Sequence, residues 1–351
     1  MAVRDPSQAS IPRSRVSTSG KVFQSTGKFR IAGRIYVPDH PSAWEWAVRS
    51  VGHQLLASEG KPVLARVKRG AFELLSNPSW MCLFPRGEAH PDWAGFVDNA
   101  DLVIKGHAGN WIIISASQER VTRIYRNRWQ YLKARWIYNQ PPVAAVSPRA
   151  LLWDDERLFH VEEYIHGTTV AVHDLKGGVQ AIRELWPRLA AVFRSQWVLR
   201  PLRPSGSRHS RAARELFEAC GLKMMWERAH QAPVAHGLVH GDLKPLNIMR
   251  TDGRLVVIDW AESYGLRPQL FDVLYFLFWL SRSHPPGRVV EAAFCDGSWL
   301  LQVQPEIEAN LVAFTREMMR RIADEGRLAR RRLERQLGVF VRECARVLGA
   351  D

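Results

Sequence analysis

The sequence predicts a two-lobed α+β fold, in which a small antiparallel β-sheet lobe precedes a mostly helical lobe. Short apolar runs separated by turn residues dominate residues 100–167, whereas helical spacing dominates residues 168–351. A chain of 351 residues is long enough to bury a sizeable core in both lobes. Its hydrophobic fraction of 46% and charged fraction of 24% are typical of a globular protein and exclude disorder of the whole chain.

The predicted sheet lobe consists of four strands and one helix. β-branched and aromatic residues, which favour strands, are concentrated in the four apolar runs, and the fourth run leads to Gly167. Gly106, Gly109 and Asn110 join the first two runs and predict a turn. The predicted strands are Asp101–Lys105, Trp111–Ser115, Arg120–Arg126 and Leu158–Ile165, and the helix between the third and fourth is Asn127–Tyr138.

Outside this lobe the sequence predicts a flexible basic tail at 1–28 and an N-terminal extension of unknown role at 29–99. The tail is rich in Ser, Arg, Pro and Gly, and the extension contains one segment with helical spacing, Ala43–Ala57. The helical lobe contains an exposed basic loop at Arg200–Arg208. Its predicted helices are Val179–Trp197, in which Pro187 predicts a kink, Ser210–Ala232, and an Arg-rich C-terminal segment from Glu306.

The net charge of +14 and the isoelectric point near 10.1 predict attraction to an anion, such as a nucleotide, an acidic substrate, nucleic acid or an anionic membrane face. The four cysteines form no C-x-x-C pair, which argues against a zinc site or a disulfide framework and fits a reducing compartment. The sequence has no run that predicts a signal peptide or a membrane span. We therefore expect a cytoplasmic protein.

The segment His240–Asn247 and the following Asp259 carry the residues with predicted chemistry. Asp242 follows the apolar Leu238-Val239, and Asn247 lies five residues further along the same loop. Asp259 ends the apolar run Leu255–Ile258, so its carboxylate emerges at a strand end. Carboxylate and amide oxygens are the ligands that Mg²⁺ prefers. One such aspartate alone more often serves as a turn or cap residue, but their joint occurrence at this spacing favours a shared site.

These motifs resemble those of the aminoglycoside phosphotransferase and choline kinase-like family, which has the protein-kinase-like fold. The carrying residues are His240-Gly241-Asp242, Asn247 and the later Ile258-Asp259-Trp260. The resemblance implies an ATP- and Mg²⁺-dependent phosphotransferase acting on a hydroxyl group of a small molecule. It further implies a catalytic set of Asp242 as base, Lys244 as charge stabiliser and His240 as a brace of the loop, with Asn247 and Asp259 as metal ligands.

The same resemblance assigns the nucleotide site to the sheet lobe. Arg123 stands where the family has its phosphate-binding lysine, and the turn Gly106, Gly109 and Asn110 resembles its glycine loop. Glu163 and Ile165 stand at the expected adenine hinge. Each feature has a simpler alternative: Arg123 could be a surface arginine, the glycine turn an ordinary hairpin, and the hinge segment a buried strand end. The helix after Arg123 lacks the family's glutamate, and its nearest substitute is Gln130.

The family resemblance also matches Asp272, whose expected role is to begin a helix and support the catalytic loop. Only a short segment separates Asp259 from Asp272, which leaves no room for a peptide-binding activation segment and disfavours a protein kinase. The absence of an acidic cluster in the helical lobe disfavours polycationic acceptors. Ile258-Asp259-Trp260 and the segment Gln269–Leu277 resemble phosphotransferase-family proteins associated with bacterial surface polysaccharides, which implies a sugar or glycolipid acceptor. The basic charge is compatible with peripheral association with an anionic membrane.

Two further classes of function stay open. A nucleotide-binding pseudokinase or regulatory protein would explain the missing glutamate, but it conflicts with the intact Asp242, Asn247 and Asp259. A nucleic-acid binder is suggested only by charge and by the Arg-rich segment Arg327–Leu337, whose simpler interpretation is a solvated helix face. We therefore expect no specific nucleic-acid partner, and the sequence indicates no obligate protein partner.

Overall fold

The computed structural model confirms the predicted two-lobed α+β fold. The structure describes residues 100–347 except 107–108, 203–205, 232, 261–262, 264, 295–306 and 326, and before them only 28–32, 35–38, 43–44, 47, 86–88 and 96. The predicted basic tail therefore lies outside the described residues apart from Lys28. The same is true of most of the predicted helix Ala43–Ala57, and of Cys82 and Cys295.

An eight-stranded antiparallel sheet forms the first lobe, with the strand order β3-β1-β2-β4-β5-β6-β8-β7. Alternation along the central strand explains its stability, because Trp111 and Ile113 are buried in the core while Ile112 and Ile114 are half-buried. The strands are β1 (Lys28–Ala32), β2 (Ile35–Pro38), β3 (Arg86–Glu88), β4 (Leu102–Lys105), β5 (Trp111–Ser115), β6 (Arg120–Ile124), β7 (Ala150–Asp154) and β8 (Phe159–Glu163).

The sheet begins earlier than the predicted lobe boundary at residue 100. β2 pairs with β4, where Ile35 lies opposite Ile104 and Tyr36 lies opposite Val103. The predicted extension at 29–99 thus supplies strand residues to the same sheet. The sequence did not reveal them because β1 and β3 are interrupted by charged residues and β2 ends in a proline, features that weaken a strand signal.

The helix predicted after β6 is α1 (Arg128–Tyr138), and its start is fixed by a side-chain cap. Asn127 accepts a hydrogen bond from the backbone N–H of Gln130 at 2.9 Å, which satisfies one of the free amides of the first turn. The helix packs Tyr131 and Tyr138 against the edge of Trp153 in β7, with ring centroids 5.6 and 6.1 Å apart. The short helix α2 (Pro141–Ala144) follows.

The chain passes from the sheet lobe to the helical lobe at residues 164–167. Gly167 is required there, because a Cβ atom would collide with the carbonyl oxygen of Arg250. β9 (Thr168–Thr169) then joins a second sheet of order β13-β12-β9, whose hairpin is β12 (Ile248–Thr251) and β13 (Arg254–Val257). The segment that joins the two lobes therefore leads into β9, which pairs with β12, the strand that follows the predicted catalytic loop.

The helical lobe surrounds one large apolar core. Pro187 lies inside a continuous helix, so the predicted kink does not divide it. The predicted helix Ser210–Ala232 is two helices, because Gly221 adopts a φ of 80° after the first of them. The helices are α3 (Leu175–Ser195), α4 (Arg208–Ala219), α5 (Lys223–Ala229), α6 (Phe271–Leu280), α7 (Pro286–Phe294), α8 (Ile307–Ala323) and α9 (Arg327–Val347).

A third sheet of order β10-β11-β14 lies beside the catalytic segment. Its strands are β10 (Trp197–Pro201), β11 (Pro233–Gly237) and β14 (Arg267–Pro268). The loop predicted at Arg200–Arg208 therefore begins within a strand and ends within α4. Among the described residues, no helix is both long and apolar enough to cross a bilayer.

Candidate active site

The predicted catalytic loop lies between β11 and β12 and is anchored by Asp272 in the first turn of α6. Its carboxylate accepts the backbone N–H of His240 at 2.7 Å and that of Gly241 at 2.8 Å. Gly241 has a φ of 84°, a left-handed conformation that glycine adopts without strain. Burial raises the pKa of the Asp272 carboxyl, while His240 and the two amides favour its ionised form. The expected support of the loop by Asp272 is thus present in the structure.

His240 ties the loop to the strand that precedes Asp259. Its ring is fully buried and lies 4.8 Å from the edge of Trp260. The Nδ1 atom accepts the backbone N–H of Asp242 at 3.2 Å, and Nε2 donates to the carbonyl oxygen of Ile258 at 2.9 Å. Both ring nitrogens are therefore occupied by backbone groups. We assign His240 a positioning role, since a fully buried ring cannot contact an acceptor.

The carbonyl oxygen of Gly241 is held by two guanidinium groups that the motif did not reveal. Arg267 of β14 donates to it at 2.8 Å, and Arg321 of α8 donates at 2.6 Å. Both arginines also face the carboxylate of Glu317, at 3.7 and 3.5 Å. The loop is thus fixed from both sides, by Asp272 through its amides and by the arginines through its carbonyl group.

Asp242 projects from this loop with both carboxylate oxygens engaged. Oδ2 accepts from the Lys244 ammonium at 2.8 Å, and Oδ1 accepts from the Tyr275 hydroxyl at 2.8 Å. The Asn247 amide nitrogen donates to Oδ2 at 3.3 Å and to the Asp242 carbonyl oxygen at 2.9 Å. Although burial opposes ionisation, Lys244 and Tyr275 lower the pKa of Asp242 below its ordinary value. The carboxylate is therefore ionised at neutral pH, as a base requires.

The two predicted metal ligands lie on adjacent segments. The backbone N–H of Ile258 donates to the carbonyl oxygen of Asn247 at 2.9 Å, which brings Asp259 beside the end of the loop. The Asn247 amide nitrogen is turned toward Asp242, so its amide oxygen points elsewhere. Asp259 has a φ of 65°, in the left-handed region that few residues other than glycine adopt, and its side chain is 40% exposed. This set of one carboxylate and one amide oxygen fits Mg²⁺, which takes its other ligands from phosphates and water.

Arg123 in β6 has a buried acidic partner that the sequence did not reveal. Its Nε atom donates to Glu162 of β8 at 2.7 Å, and its terminal nitrogen reaches Asp259 at 3.4 Å. The strand register explains the pair, because Arg123 lies opposite His160 and Glu162 is the diagonal neighbour on the same face. A strand thus supplies the acid expected from the helix, and Gln130 leaves its side-chain oxygen buried without a partner.

The Arg123–Glu162 pair belongs to a network of side chains. Glu162 also accepts from the Tyr138 hydroxyl at 2.8 Å and from His160 at 3.3 Å, and Tyr125 bonds the other His160 nitrogen at 2.8 Å. Burial opposes the charge of Glu162, yet Arg123 and His160 lower its pKa to about 2. Burial also lowers the pKa of His160, which keeps the ring neutral. The guanidinium is thus paired and fixed in position at neutral pH.

The glycine turn lies between β4 and β5, with residues 107–108 outside the described part. The backbone N–H of Gly106 donates to the carbonyl oxygen of Asn110 at 2.8 Å, and that of Gly109 donates to Gly106 at 3.1 Å. Gly109 has a φ of 80°, and a Cβ there would crowd the side chain of Arg126. The Asn110 side chain accepts the backbone N–H of Arg126 at 3.1 Å. Asn110 therefore fixes the turn against the end of β6.

The predicted hinge residues lie where the chain leaves β8. Ile165 is buried, whereas the Glu163 carboxylate accepts from Arg254 and from the backbone N–H of Arg149, both at 3.1 Å. The Glu163 side chain thus bridges the two lobes, since Arg254 lies in β13. The predicted adenine contact involves backbone atoms of this segment and stays a prediction.

The described geometry brings five of the eleven predicted site residues together. Arg123, Asp242, Lys244, Asn247 and Asp259 form one cluster across the two lobes, whereas the glycine turn and the hinge line other parts of the sheet lobe. The residues that sequence reasoning missed are Glu162, Tyr275, Arg267 and Arg321. Only the strand alternation that puts Glu162 on the face of Arg123 could have signalled one of them.

Residues 130–299 match the sequence profile of the phosphotransferase enzyme family. The match covers just under half of the chain and includes the catalytic loop, Asp259 and Asp272. The match confirms the predicted resemblance to this family. Arg123 and the strands before it lie outside the matched segment.

Three solved structures are similar to this chain. A choline/ethanolamine kinase family protein from Mesorhizobium loti shares 16% identity, with a TM-score of 0.48, over 75% of this chain and 95% of its own. An aminoglycoside phosphotransferase in a complex with ADP and hygromycin B shares 18% identity, with a TM-score of 0.46, over 68% of this chain and 92% of its own. The choline kinase LicA from Streptococcus pneumoniae shares 15% identity, with a TM-score of 0.41, over 67% of this chain and 92% of its own. A search of curated protein sequences found no match.

Proposed function

We propose that the protein transfers the γ-phosphoryl group of ATP to a hydroxyl group of a small molecule. The observation that carries this proposal is the environment of Asp242. Its carboxylate is 17% exposed and is kept ionised by Lys244, and it stands on a loop that Asp272 fixes through the backbone amides of His240 and Gly241. Asn247 and Asp259 supply oxygen atoms beside it. A positioned base next to metal ligands is what phosphoryl transfer requires of a protein.

In the proposed reaction Asp242 accepts a hydrogen bond from the acceptor hydroxyl and takes its proton. The acceptor oxygen forms a bond to the γ-phosphorus, the bond from that phosphorus to the bridging oxygen breaks, and ADP leaves. Both Asp242 oxygens have protein partners in the structure, so the hydroxyl displaces or shares one of them. Lys244 lies 2.8 Å from Asp242 and can balance the charge of the transferred group.

ATP and Mg²⁺ fit the residues on either side of the loop. Bound Mg²⁺ would neutralise phosphate charge, and Asn247 and Asp259 would hold it. Arg123 is a fixed cation next to Asp259, which suits contacts with phosphate oxygens. The turn at Gly106 and Gly109 and the hinge at Glu163 and Ile165 remain our candidates for covering the phosphates and contacting adenine.

We infer that the acceptor is a sugar or a glycolipid, from the surface chemistry as well as the motif. The chain carries a net charge of +14, which does not suit polycationic acceptors. The short segment from Asp259 to Asp272 disfavours a protein acceptor. A neutral or acidic hydroxyl compound satisfies both conditions.

An apolar stripe on α1 favours association with an anionic membrane. Trp129, Leu132 and Trp136 are 74%, 44% and 46% exposed and lie on one side of the helix, with Arg128 and Arg135 beside them. Tryptophan and cationic residues together are typical of helices that lie at a bilayer interface. We infer a cytoplasmic location at the inner membrane face, where ATP and lipid-linked sugars are both available.

Co-sedimentation with lipid vesicles tests this association. We expect binding to vesicles with phosphatidylglycerol, weaker binding to pure phosphatidylcholine, and loss of binding in the Trp129→Ala/Trp136→Ala variant. Trp197→Ala, which removes an exposed tryptophan of β10, is the matched control. Equal binding by both variants would contradict the assignment.

The alternative function, a nucleotide-binding pseudokinase, was suggested by the missing helix glutamate. Glu162 provides the acidic partner of Arg123 at 2.7 Å, which removes that reason. The alternative predicts ATP binding without turnover in the presence of any acceptor.

The deciding experiment is a screen of hydroxyl acceptors that measures ADP release with ATP and Mg²⁺. We compare wild type with Asp242→Asn, and we use Asp252→Asn, in the exposed β12–β13 turn, as the control. Removing a general base lowers turnover by about 10²–10⁴-fold, so we expect this loss in Asp242→Asn only. Full activity in Asp242→Asn, or phosphorylation of a polypeptide alone, would overturn the proposal.

A further inference from the structure

A cavity of about 500 Å³ lies next to the catalytic loop, between β10, β11, β14 and α8, with the first turn of α4 at its rim. Its volume is that of a small-molecule site. The charged groups on its wall are Arg200, Arg267, Arg316, Arg320 and Glu317, and His236 lies among them. Neither the predicted nucleotide site nor the catalytic set includes any of these residues.

The charged groups among the described lining residues of this cavity are mainly cationic. Four arginines face it, and Glu317 is the one carboxylate among its described lining residues. That carboxylate is already shared, because Arg320 lies 2.7 Å, Arg321 3.5 Å and Arg267 3.7 Å from its oxygen. Several guanidinium groups therefore converge on this cavity beside a single carboxylate of the described lining residues, an arrangement that suits an anion.

His236 lies on the same wall and is affected by two of these arginines. Its Nδ1 atom donates to the carbonyl oxygen of Val234 at 2.9 Å. Burial lowers the pKa of His236, and the charges of Arg200 and Arg316 lower it further. Burial also lowers the pKa of Arg316. The groups on the wall thus oppose one another's charge, and a bound anion would relieve this repulsion.

The cavity is connected directly to the catalytic loop. Arg267 lines it and donates to the carbonyl oxygen of Gly241 at 2.8 Å, one residue before Asp242. Glu317 also lines it and faces Arg321, which donates to the same carbonyl oxygen at 2.6 Å. A ligand in this cavity would therefore contact groups that hold the loop.

We propose that this cavity binds an oxyanion, a phosphate or carboxylate group, of a small ligand. Guanidinium groups recognise both through paired hydrogen bonds, and several converge here. The anion is either part of the acceptor, a step that rests on the proposed function, or a free anion that acts on the loop. An acceptor with such a group would be acidic, opposite in charge to choline and aminoglycosides.

The binding part of the proposal is tested without catalysis. Isothermal titration of the full chain with pyrophosphate, at ionic strength held constant with chloride, compares wild type with Arg316→Gln. We expect at least a tenfold loss of affinity at one site in Arg316→Gln. Arg330→Gln, which removes an exposed arginine paired with Glu334 on α9, should bind as wild type does.

A second variant guards against misfolding of Arg316→Gln. Arg200 is exposed on β10, so Arg200→Gln should fold and still weaken binding. Pyrophosphate bound through Arg123 would survive both substitutions, which separates the two sites. Equal titrations of wild type, Arg316→Gln and Arg200→Gln would overturn the proposal.

The source of the anion is tested with pairs of acceptors that differ in one charged group, such as glucose 6-phosphate or glucuronate against glucose. Faster ADP release with the charged member in wild type, lost in Arg316→Gln, assigns the anion to the acceptor. Equal use of both members, with pyrophosphate binding still dependent on Arg316, assigns it to a free anion. If no acceptor is phosphorylated while that binding persists, the proposed function fails and the anion site stands.

Discussion

The catalytic loop and the Arg123 network are held in place by different kinds of interaction. In the loop, side chains bond backbone groups, since Asp272 accepts the amides of His240 and Gly241 and Arg267 donates to the Gly241 carbonyl group. In the network, Arg123 and Glu162 bond each other through their side chains, inside the sheet lobe. The loop interactions fix a conformation, whereas the network interactions stabilise a buried charge.

This difference predicts different consequences of substitution. Loss of a loop contact shifts Asp242 while the lobes stay folded, so turnover falls more than stability. Loss of a network contact leaves a charge buried without its partner, so stability and nucleotide binding fall first. The following predictions begin with the largest expected effect.

Glu162→Gln should destabilise the protein by about 3–5 kcal/mol, the cost of removing one partner of a buried ion pair. Arg123 keeps only the more distant Asp259, so the KM for ATP should rise as well. Urea unfolding and ADP release measure the two effects. Glu156→Gln changes an exposed carboxylate in the β7–β8 turn and is the control. A stable Glu162→Gln protein with normal ATP affinity would show that the pair does not hold Arg123.

The contribution of Glu162 to stability should depend on pH. Its pKa is about 2 in the folded protein against 4.5 for an ordinary glutamate, so it stabilises fully above pH 4.5 and loses this effect as pH falls toward 2. The stability gap between wild type and Glu162→Gln should therefore shrink by about 2 kcal/mol between pH 6 and pH 3. Urea unfolding at both pH values measures it, and a constant gap would contradict the lowered pKa.

Asp272→Asn should lower turnover by about 100-fold, because the amide nitrogen cannot accept one of the two loop N–H groups and the base shifts. A buried N–H without a partner costs about 1–3 kcal/mol, less than the loss expected at Glu162. Steady-state kinetics should show the effect in kcat with the KM for ATP nearly unchanged. Asp324→Asn, at an exposed position after α8, is the control. A change in the KM for ATP without a change in kcat would contradict the view that Asp272 acts on the position of Asp242.

Tyr275→Phe should have the smallest effect, about 1 kcal/mol or roughly fivefold in kcat, because it removes one hydrogen bond to Asp242. That bond helps to lower the pKa of Asp242. Because Asp242 acts in its ionised form in the proposed reaction, the acid limb of the kcat profile should move to higher pH in the variant. An unchanged profile would show that the hydroxyl does not influence the base.

The same contrast explains how much the sequence could predict. His240, Asp242, Lys244 and Asn247 lie within eight consecutive residues, so their proximity follows from the chain itself. Glu162 lies 39 residues from Arg123, and their contact depends on the register of β6 and β8. The register requires knowledge of which strands pair, which a single sequence does not supply.

In the fold, too, the features set by local signals were predictable, whereas those set by distant contacts were not. The limits of β5 and the start of α1 agree with the sequence pattern to within one residue, because strand alternation and the cap at Asn127 are local signals. The strands before residue 100 and the break at Gly221 were missed, since both depend on contacts or backbone angles without a distinct sequence period. The arginines that hold Gly241 come from β14 and α8, far from the motif.

The backbone conformation of Asp259 restricts which residue types can replace it. With a φ of 65°, the position disfavours β-branched and bulky residues whatever their chemistry. Glycine and asparagine are the substitutions that this backbone tolerates, and neither carries the charge of a carboxylate. In a saturation library at this codon, the folded survivors should be concentrated in aspartate, asparagine and glycine, with activity in aspartate alone. Substitutions of Asp259 that the backbone tolerates should therefore give folded but inactive proteins.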